Sequence, residues 1–196
     1  MIGQLRGTLV YKRPPLLMVD VGGVGYEVEA PLSVFFDLPA EGQDIRLLTH
    51  LMVKEDSHTL YGFAGDAQRE LFRSLLKVSG VGAKLALAIL SGTTVEEFAA
   101  VVNHNDVASL TRVPGIGKKT AERLIVEMRD RLPESAAGGA APSSPGSLDA
   151  AGEASAALRN LGYKPAEVSK MVRAVEGEDL SAEEIIRQAL KNQVKR

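Results

Sequence analysis

The chain reads as a multidomain α+β protein: a small closed β-barrel, a central all-α pair of helix-hairpin-helix units, and a three-helix module on a flexible linker. Three observations predict this. Strand-like segments fill residues 1–64 and then give way to helical periodicity. A ten-residue pattern built on two glycines occurs twice in the helical part, 35 residues apart. A stretch rich in Ala, Gly, Ser and Pro over 134–148 then sets off a last group of short amphipathic segments.

The strands come first. Ile2 to Tyr11 and Leu16 to Val21 are rich in β-formers, and Gly22-Gly23 makes a turn. Val24 to Ala30 alternates sides, Pro31 to Leu38 has room for a short helical turn, and Ile45 to Val53 and Thr59 to Phe63 complete the set. About five short strands in so few residues suit a closed barrel of the OB type. Gly22-Gly23-Val24-Gly25 is followed by a strand rather than a helix, so it is a hairpin turn and not a nucleotide fingerprint. Between the last two strands stand Glu55 and Asp56. Adjacent acids at a hairpin tip are ordinarily solvated turn residues; the functional alternative is an acidic projection that repels phosphates.

Residues 65–133 turn helical. Asp66 is placed to cap a helix through Leu71, Leu75 and Leu76, Thr94-Val95-Glu96-Glu97 has the form of a capping box, and Asn105 or Asp106 starts a short helix before Leu110. Leu85, Ala88 and Ile89, like Leu124, Ile125 and Met128, read as core stripes.

The repeat lies here. Lys77-Val78-Ser79-Gly80-Val81-Gly82-Ala83-Lys84-Leu85-Ala86 slides onto Arg112-Val113-Pro114-Gly115-Ile116-Gly117-Lys118-Lys119-Thr120-Ala121 with base on base, Val on Val and both glycines on both glycines. Glycines at the mouth of a helix let the backbone approach an anion closely. The first N–H groups of the helix have no internal partner and carry the positive end of its dipole. Lysines in that first turn stand at the wrong end of a helix unless an anion binds there. A pair of glycine C-caps would explain neither the shared register nor the lysines. The pattern therefore predicts a double helix-hairpin-helix grip on DNA phosphates, made by Gly80, Val81, Gly82 and Lys84 in the first hairpin. In the second, Gly115, Ile116, Gly117, Lys118, Lys119, Thr120 and Arg123 play that part.

Residues 134–148 have too little apolar surface to repay ordering and read as a linker. Residues 149–196 then hold three short helices: Ala154 to Leu161 ending at Gly162, Pro165 to Val175, and one opened by Ser181-Ala182-Glu183-Glu184. Leu161-Gly162-Tyr163 resembles the Met-Gly-Phe loop of ubiquitin-associated (UBA-like) three-helix modules. Leu158, Leu161 and Tyr163 near that loop are candidates for a partner-docking patch, although in so small a module Leu158 and Leu161 are equally natural as core.

Composition narrows the chemistry. Hydrophobic residues make up 45%, so the chain can fold around cores, and without Trp it offers no wide base-stacking platform. There is no Cys, which excludes disulfides, thiolate metal sites and a thiol nucleophile. No signal-peptide core and no membrane-length apolar run is seen, so the expected location is the cytoplasm. Net charge is −2, but residues 65–133 carry 10 basic and 8 acidic side chains and form the one net-positive segment. His50, His58 and His104 are scattered, and no carboxylate cluster points to a two-metal site. The run ending Gly117-Lys118-Lys119-Thr120 fails as a Walker A loop because Arg112 stands where its first Gly belongs and Lys119 where Ser or Thr should. No catalytic residue, metal or cofactor is expected.

Taken in chain order, the sequence resembles the RuvA family of bacterial Holliday junction-binding proteins along its whole length. The resemblance rests on Met1-Ile2-Gly3, Leu5-Arg6-Gly7, Lys54-Glu55-Asp56, Leu60-Tyr61-Gly62-Phe63, both hairpins with the following Glu122-Arg123-Leu124, and Leu161-Gly162-Tyr163. It implies binding of four-way junction DNA without sequence preference, in recombination and repair, by a homotetramer or a face-to-face octamer. It implies barrels meeting at the junction centre with Glu55 and Asp56 as a pin, and hairpins gripping minor-groove backbone along the arms. The tail would engage the hexameric ATPase RuvB, with the RuvC resolvase in a larger complex. ATP would then belong to the partner. Two other readings stay open from the residues alone: a nuclease or lyase subunit that uses the hairpins only to hold DNA, and a duplex-binding repair scaffold with no junction preference.

Overall fold

A computed structural model of the chain describes residues 1–129, 131, 150–163, 165–175 and 180–194. The expected linker at 134–148 lies outside them. Strands β1 (Gln4–Arg13), β2 (Leu16–Val21), β3 (Val24–Glu29), β4 (Asp44–Val53) and β5 (His58–Phe63) close into a barrel in the order β1-β2-β3-β5-β4. All neighbours are antiparallel except β3 and β5, which run parallel. The period of two puts Leu5 and Leu9, Leu17 and Val19, and Ile45 and Leu47 inside. A register shift between Leu9 and Tyr11 bends β1 so that it pairs with β2 on one side and β4 on the other. The short helix α1 (Leu32–Phe36) follows β3 and sends Val34 into the barrel core.

Five helices follow: α2 (Asp66–Leu75), α3 (Ala83–Gly92), α4 (Val95–Asn103), α5 (Val107–Thr111) and α6 (Lys118–Arg129). The Thr94–Glu97 capping box forms, and Asp106 rather than Asn105 caps α5 by accepting from the Ser109 N–H at 3.0 Å. Two expectations are corrected. Asp66 does not cap α2: Gly65 holds that position and Asp66 pairs with Arg69 inside the first turn. The buried stripe of α3 is Ala86, Leu87, Ile89 and Leu90, while Leu85 and Ala88 are only half-buried, because the neighbouring helices cover a face turned by one residue from the expected one.

The core does not stop where strand gives way to helix. Tyr61 and Phe63 of β5 belong to the helical cluster, with ring centroids 5.0 and 4.9 Å from that of the fully buried Phe72 of α2. Polar ties reinforce this seam. Arg69 donates to the Gly3 carbonyl at 2.9 Å, the Leu32 N–H to Ser91 Oγ at 2.8 Å, and Ser33 Oγ to the Leu90 carbonyl at 2.8 Å. Barrel and helices α2 to α6 thus form one compact unit.

Helices α7 (Ala150–Asn160), α8 (Pro165–Arg173) and α9 (Ala182–Val194) form a second unit. Its core is Leu158, Val168, Met171 and Ala189, with Tyr163 packed against it. Helix α7 begins four residues before the expected Ala154 and ends at Asn160, and the turn after it passes through Gly162, whose φ is +96°. The Ser181–Glu184 box opens α9, with the Ser181 N–H donating to Glu184 at 3.0 Å.

Candidate nucleic-acid interface

The two hairpins are copies at atomic detail. In the first, the N–H groups of Lys77, Val78, Val81 and Ala86 donate to the carbonyls of Ser74, Leu75, Val78 and Gly82; in the second, those of Arg112, Val113, Ile116 and Ala121 donate to Ser109, Leu110, Val113 and Gly117. Every donor and acceptor is displaced by the same 35 residues, with lengths of 2.9 to 3.3 Å. Gly80 and Gly115 hold φ of +86° and +90°, a region that side chains resist. The repeat in sequence is therefore a repeat in backbone.

Each hairpin delivers the chain into a helix start. Gly82 is the N-cap of α3, no side chain accepts from the first turn there, and no acidic residue lies in the first turn of α3 or α6. Helices α4 and α5 instead satisfy their own first turns with Thr94 and Asp106. The uncapped N–H groups and the dipole end remain available to an anion. Lys84, Lys118 and Lys119 are exposed, Thr120 is half-buried, and none of these lysines joins an ion pair among the described residues. Lys77 and Arg112, left out of the expected site, are likewise exposed and unpaired among the described residues. The shared register, which set one base on the other, was the signal for them.

The structure divides the expected hairpin residues. Val81 and Ile116, 6% and 5% exposed, point into the helical core, and their N–H groups are spent on Val78 and Val113. They anchor the loops from below and present nothing to a ligand, since an aliphatic side chain between two turn glycines gains more from burial than from water. Arg123 is exposed but already engaged: its Nη1 reaches the first hairpin, 3.2 Å from the Ser79 carbonyl and 3.4 Å from Ser79 Oγ.

Glu55 and Asp56 sit at the tip of the β4–β5 hairpin. Val53 and His58 form its last pair, and the Lys54 N–H closes the turn on the Ser57 carbonyl at 2.8 Å. Both acids are exposed, and neither meets a cation within ion-pair distance among the described residues. In the second unit the three docking candidates separate. Leu158 is wholly buried at the centre of the core and has no surface to offer, which corrects its expected role. Tyr163 is half-buried against the same core, and Leu161 stands 61% exposed beside the Gly162 turn.

No group of His, Cys, Asp or Glu that could hold a metal occurs among the described residues, and no single helix there is long and apolar enough to cross a membrane. Ionisation shifts at carboxylates are local to caps. Glu97 lies below the usual carboxylate range because the Thr94 N–H donates to it, and Asp106 does so because of Ser109.

Comparison with known proteins agrees with this arrangement along the whole chain. Residues 1–62 match the RuvA N terminal domain, 72–130 the SAM-like helix-hairpin-helix tandem, and 149–192 the RuvA C-terminal domain. A protein of Thioalkalivibrio sulfidiphilus named Holliday junction branch migration complex subunit RuvA is 57% identical over 100% of both chains. Proteins of the same name from Stenotrophomonas maltophilia and Xanthomonas campestris are 55% and 54% identical over 98% and 97% of both. With full-length identity at this level, the chain belongs to the RuvA family.

Proposed function

We propose that the chain is the non-catalytic DNA-binding subunit of a branch migration complex. It binds four-way junctions without sequence specificity, holds them open, and recruits and stimulates the RuvB ATPase. The observation that carries this reading is the pair of hairpins in one register, each turning on a left-handed glycine into a helix start flanked by unpaired lysines. Such a device recognises phosphates through main chain and charge and reads no base, so its affinity is sequence-independent and salt-dependent. The names of the full-length relatives support the junction as the target. Four copies would supply a hairpin pair to each arm and bring the Glu55–Asp56 tips together at the crossover. A homotetramer, or two tetramers face to face, follows from this reading. RuvC engagement, a cytoplasmic setting and docking of RuvB on the second unit near Leu161 and Tyr163 belong to it as well.

The decisive experiment is a competition gel between a labelled four-way junction and unlabelled linear duplex of matched composition. Preference for the junction by about tenfold or more is expected. Equal competition would leave only a duplex-binding scaffold, and cleavage of the junction in the presence of Mg²⁺ would replace the subunit reading with an enzymatic one.

A further inference from the structure

The two hairpins share a backbone but not a residue ahead of the left-handed glycine: the first has Ser79, the second Pro114. Proline fixes its own φ near −65° and so stiffens the second loop from within. Serine gives no such restraint. At this point in the first hairpin Arg123 arrives from α6, with Nη1 3.2 Å from the Ser79 carbonyl. Built on Gly80, a Cβ would lie 3.8 Å from the same nitrogen. Arg123 corresponds to Ala88 in the repeat register, so this link has no mirror image in the second hairpin.

A trans peptide is planar, with its C=O and N–H pointing in opposite directions. Holding the Ser79 carbonyl therefore sets the direction of the Gly80 N–H, which makes no hydrogen bond among the described residues. We infer that Arg123 is a positioning residue: by gripping the Ser79 carbonyl it aims the Gly80 N–H and stiffens the first hairpin, which lacks the proline that stiffens the second. The inference rests on the phosphate-binding reading for its consequence in DNA affinity. The stiffening itself is a property of the free protein. A guanidinium suits the task, since Nη1 holds the carbonyl while the N–H groups on Nε and Nη2 and the charge remain for a phosphate.

The test uses the full chain. In Arg123→Met the side chain keeps an unbranched stem without the guanidinium and the helix keeps its propensity, and the residue is exposed, so folding is retained. Hydrogen exchange at the Val81 amide, whose bond to Val78 is 3.0 Å long, reports opening of the first hairpin in the absence of DNA. Loss of this solvent-exposed bond should raise that exchange by roughly threefold to tenfold. Adding Ser79→Pro writes the restraint of the second hairpin onto the first. The Ser79 N–H makes no hydrogen bond among the described residues, and Pro114 is accepted at the matching place. The double variant should return exchange to within about twofold of the parent and recover part of the lost junction affinity.

Unchanged exchange in Arg123→Met would overturn the inference and leave Arg123 as a surface cation. Raised exchange that Ser79→Pro fails to restore would overturn it too. Should Ser79→Pro unfold the hairpin by itself, Arg123→Lys takes its place, because a donor of similar reach should restore protection where Met does not. If the parent protein shows no junction preference, the proposed function fails while the exchange results still decide this point.

Discussion

Alanine at the four hairpin glycines should separate folding from binding. Gly80 and Gly115 hold φ of +86° and +90°. A Cβ in that region costs ~1–2 kcal/mol, partly offset by the ~0.4–1 kcal/mol that Ala contributes by stiffening the unfolded chain. The net loss is about 1 kcal/mol, which for a unit of about 130 residues lowers Tm by roughly 3–6 °C. Gly82 is different: its φ is −93° and a Cβ there meets nothing within 4 Å. Gly117 also has no positive φ and open space around it. The weaker N-cap made by Ala and the stiffer unfolded chain nearly cancel, so Gly82→Ala should stay within ~0.5 kcal/mol of the parent. Binding should show the reverse order. A methyl group at Gly82 or Gly117 occupies the space in which a phosphate oxygen would lie ~2.9 Å from the helix N–H groups. Losing a charge-assisted bond of ~1.5–3 kcal/mol at each of the two loops should weaken junction binding by roughly a hundredfold to ten-thousandfold. Thermal melts and junction titrations on Gly80→Ala, Gly82→Ala and the Gly82→Ala/Gly117→Ala pair test this. The reasoning is refuted if Gly82→Ala melts as low as Gly80→Ala, or if the pair binds junctions as tightly as the parent.

Further outcomes are expected. Lys84→Ala with Lys119→Ala should weaken junction binding and lower the log–log salt slope by about 0.9 for each phosphate no longer neutralised, and an unchanged slope would show that these lysines meet no phosphate. Glu55→Gln with Asp56→Asn should raise affinity for linear duplex more than for junctions, with the gain shrinking at high salt; a duplex affinity that stays put reduces the acids to turn residues. Leu158→Ala should unfold the second unit, since a buried Leu is worth ~2–5 kcal/mol and so small a core has little in reserve. Leu161→Ala should leave its circular dichroism intact and cut stimulation of the motor, and a normal RuvB response would move the docking surface elsewhere. Burial, then Arg73 and Arg69, hold His50 below its usual value of 6.5. The fold thus favours the neutral ring; its contribution is present above pH 6.5 and lost as pH falls through the depressed value. His50→Gln should flatten the stability curve below about pH 6.5 in urea titrations at stepped pH, and a curve parallel to the parent's would show that His50 is not the group responsible.

The features legible in the chain alone are those fixed within a few residues of one another. The Thr94–Glu97 box, the Ser181–Glu184 box, the strand alternation and the shared hairpin register are all settled by near neighbours, and each shows itself as spacing. The repeat could be read because the same local bonds need the same local residues twice. Packing between elements chose which face of each is covered. Val81 and Ile116 fill a core, Leu158 is inside while Leu161 is outside, and the stripe of α3 is turned by one residue, because distant helices close over one side of each segment. Gly7 looked like a motif residue; in the fold a Cβ there would stand 2.0 Å from the Asp20 carbonyl, so the crossing of β1 and β2 requires it. Arg123 and Ser79 are 44 residues apart and meet only because the two repeats pack together. Spacing along a chain encodes bonds within a turn, whereas contacts between turns depend on how whole elements fill space, and only the folded molecule settles that.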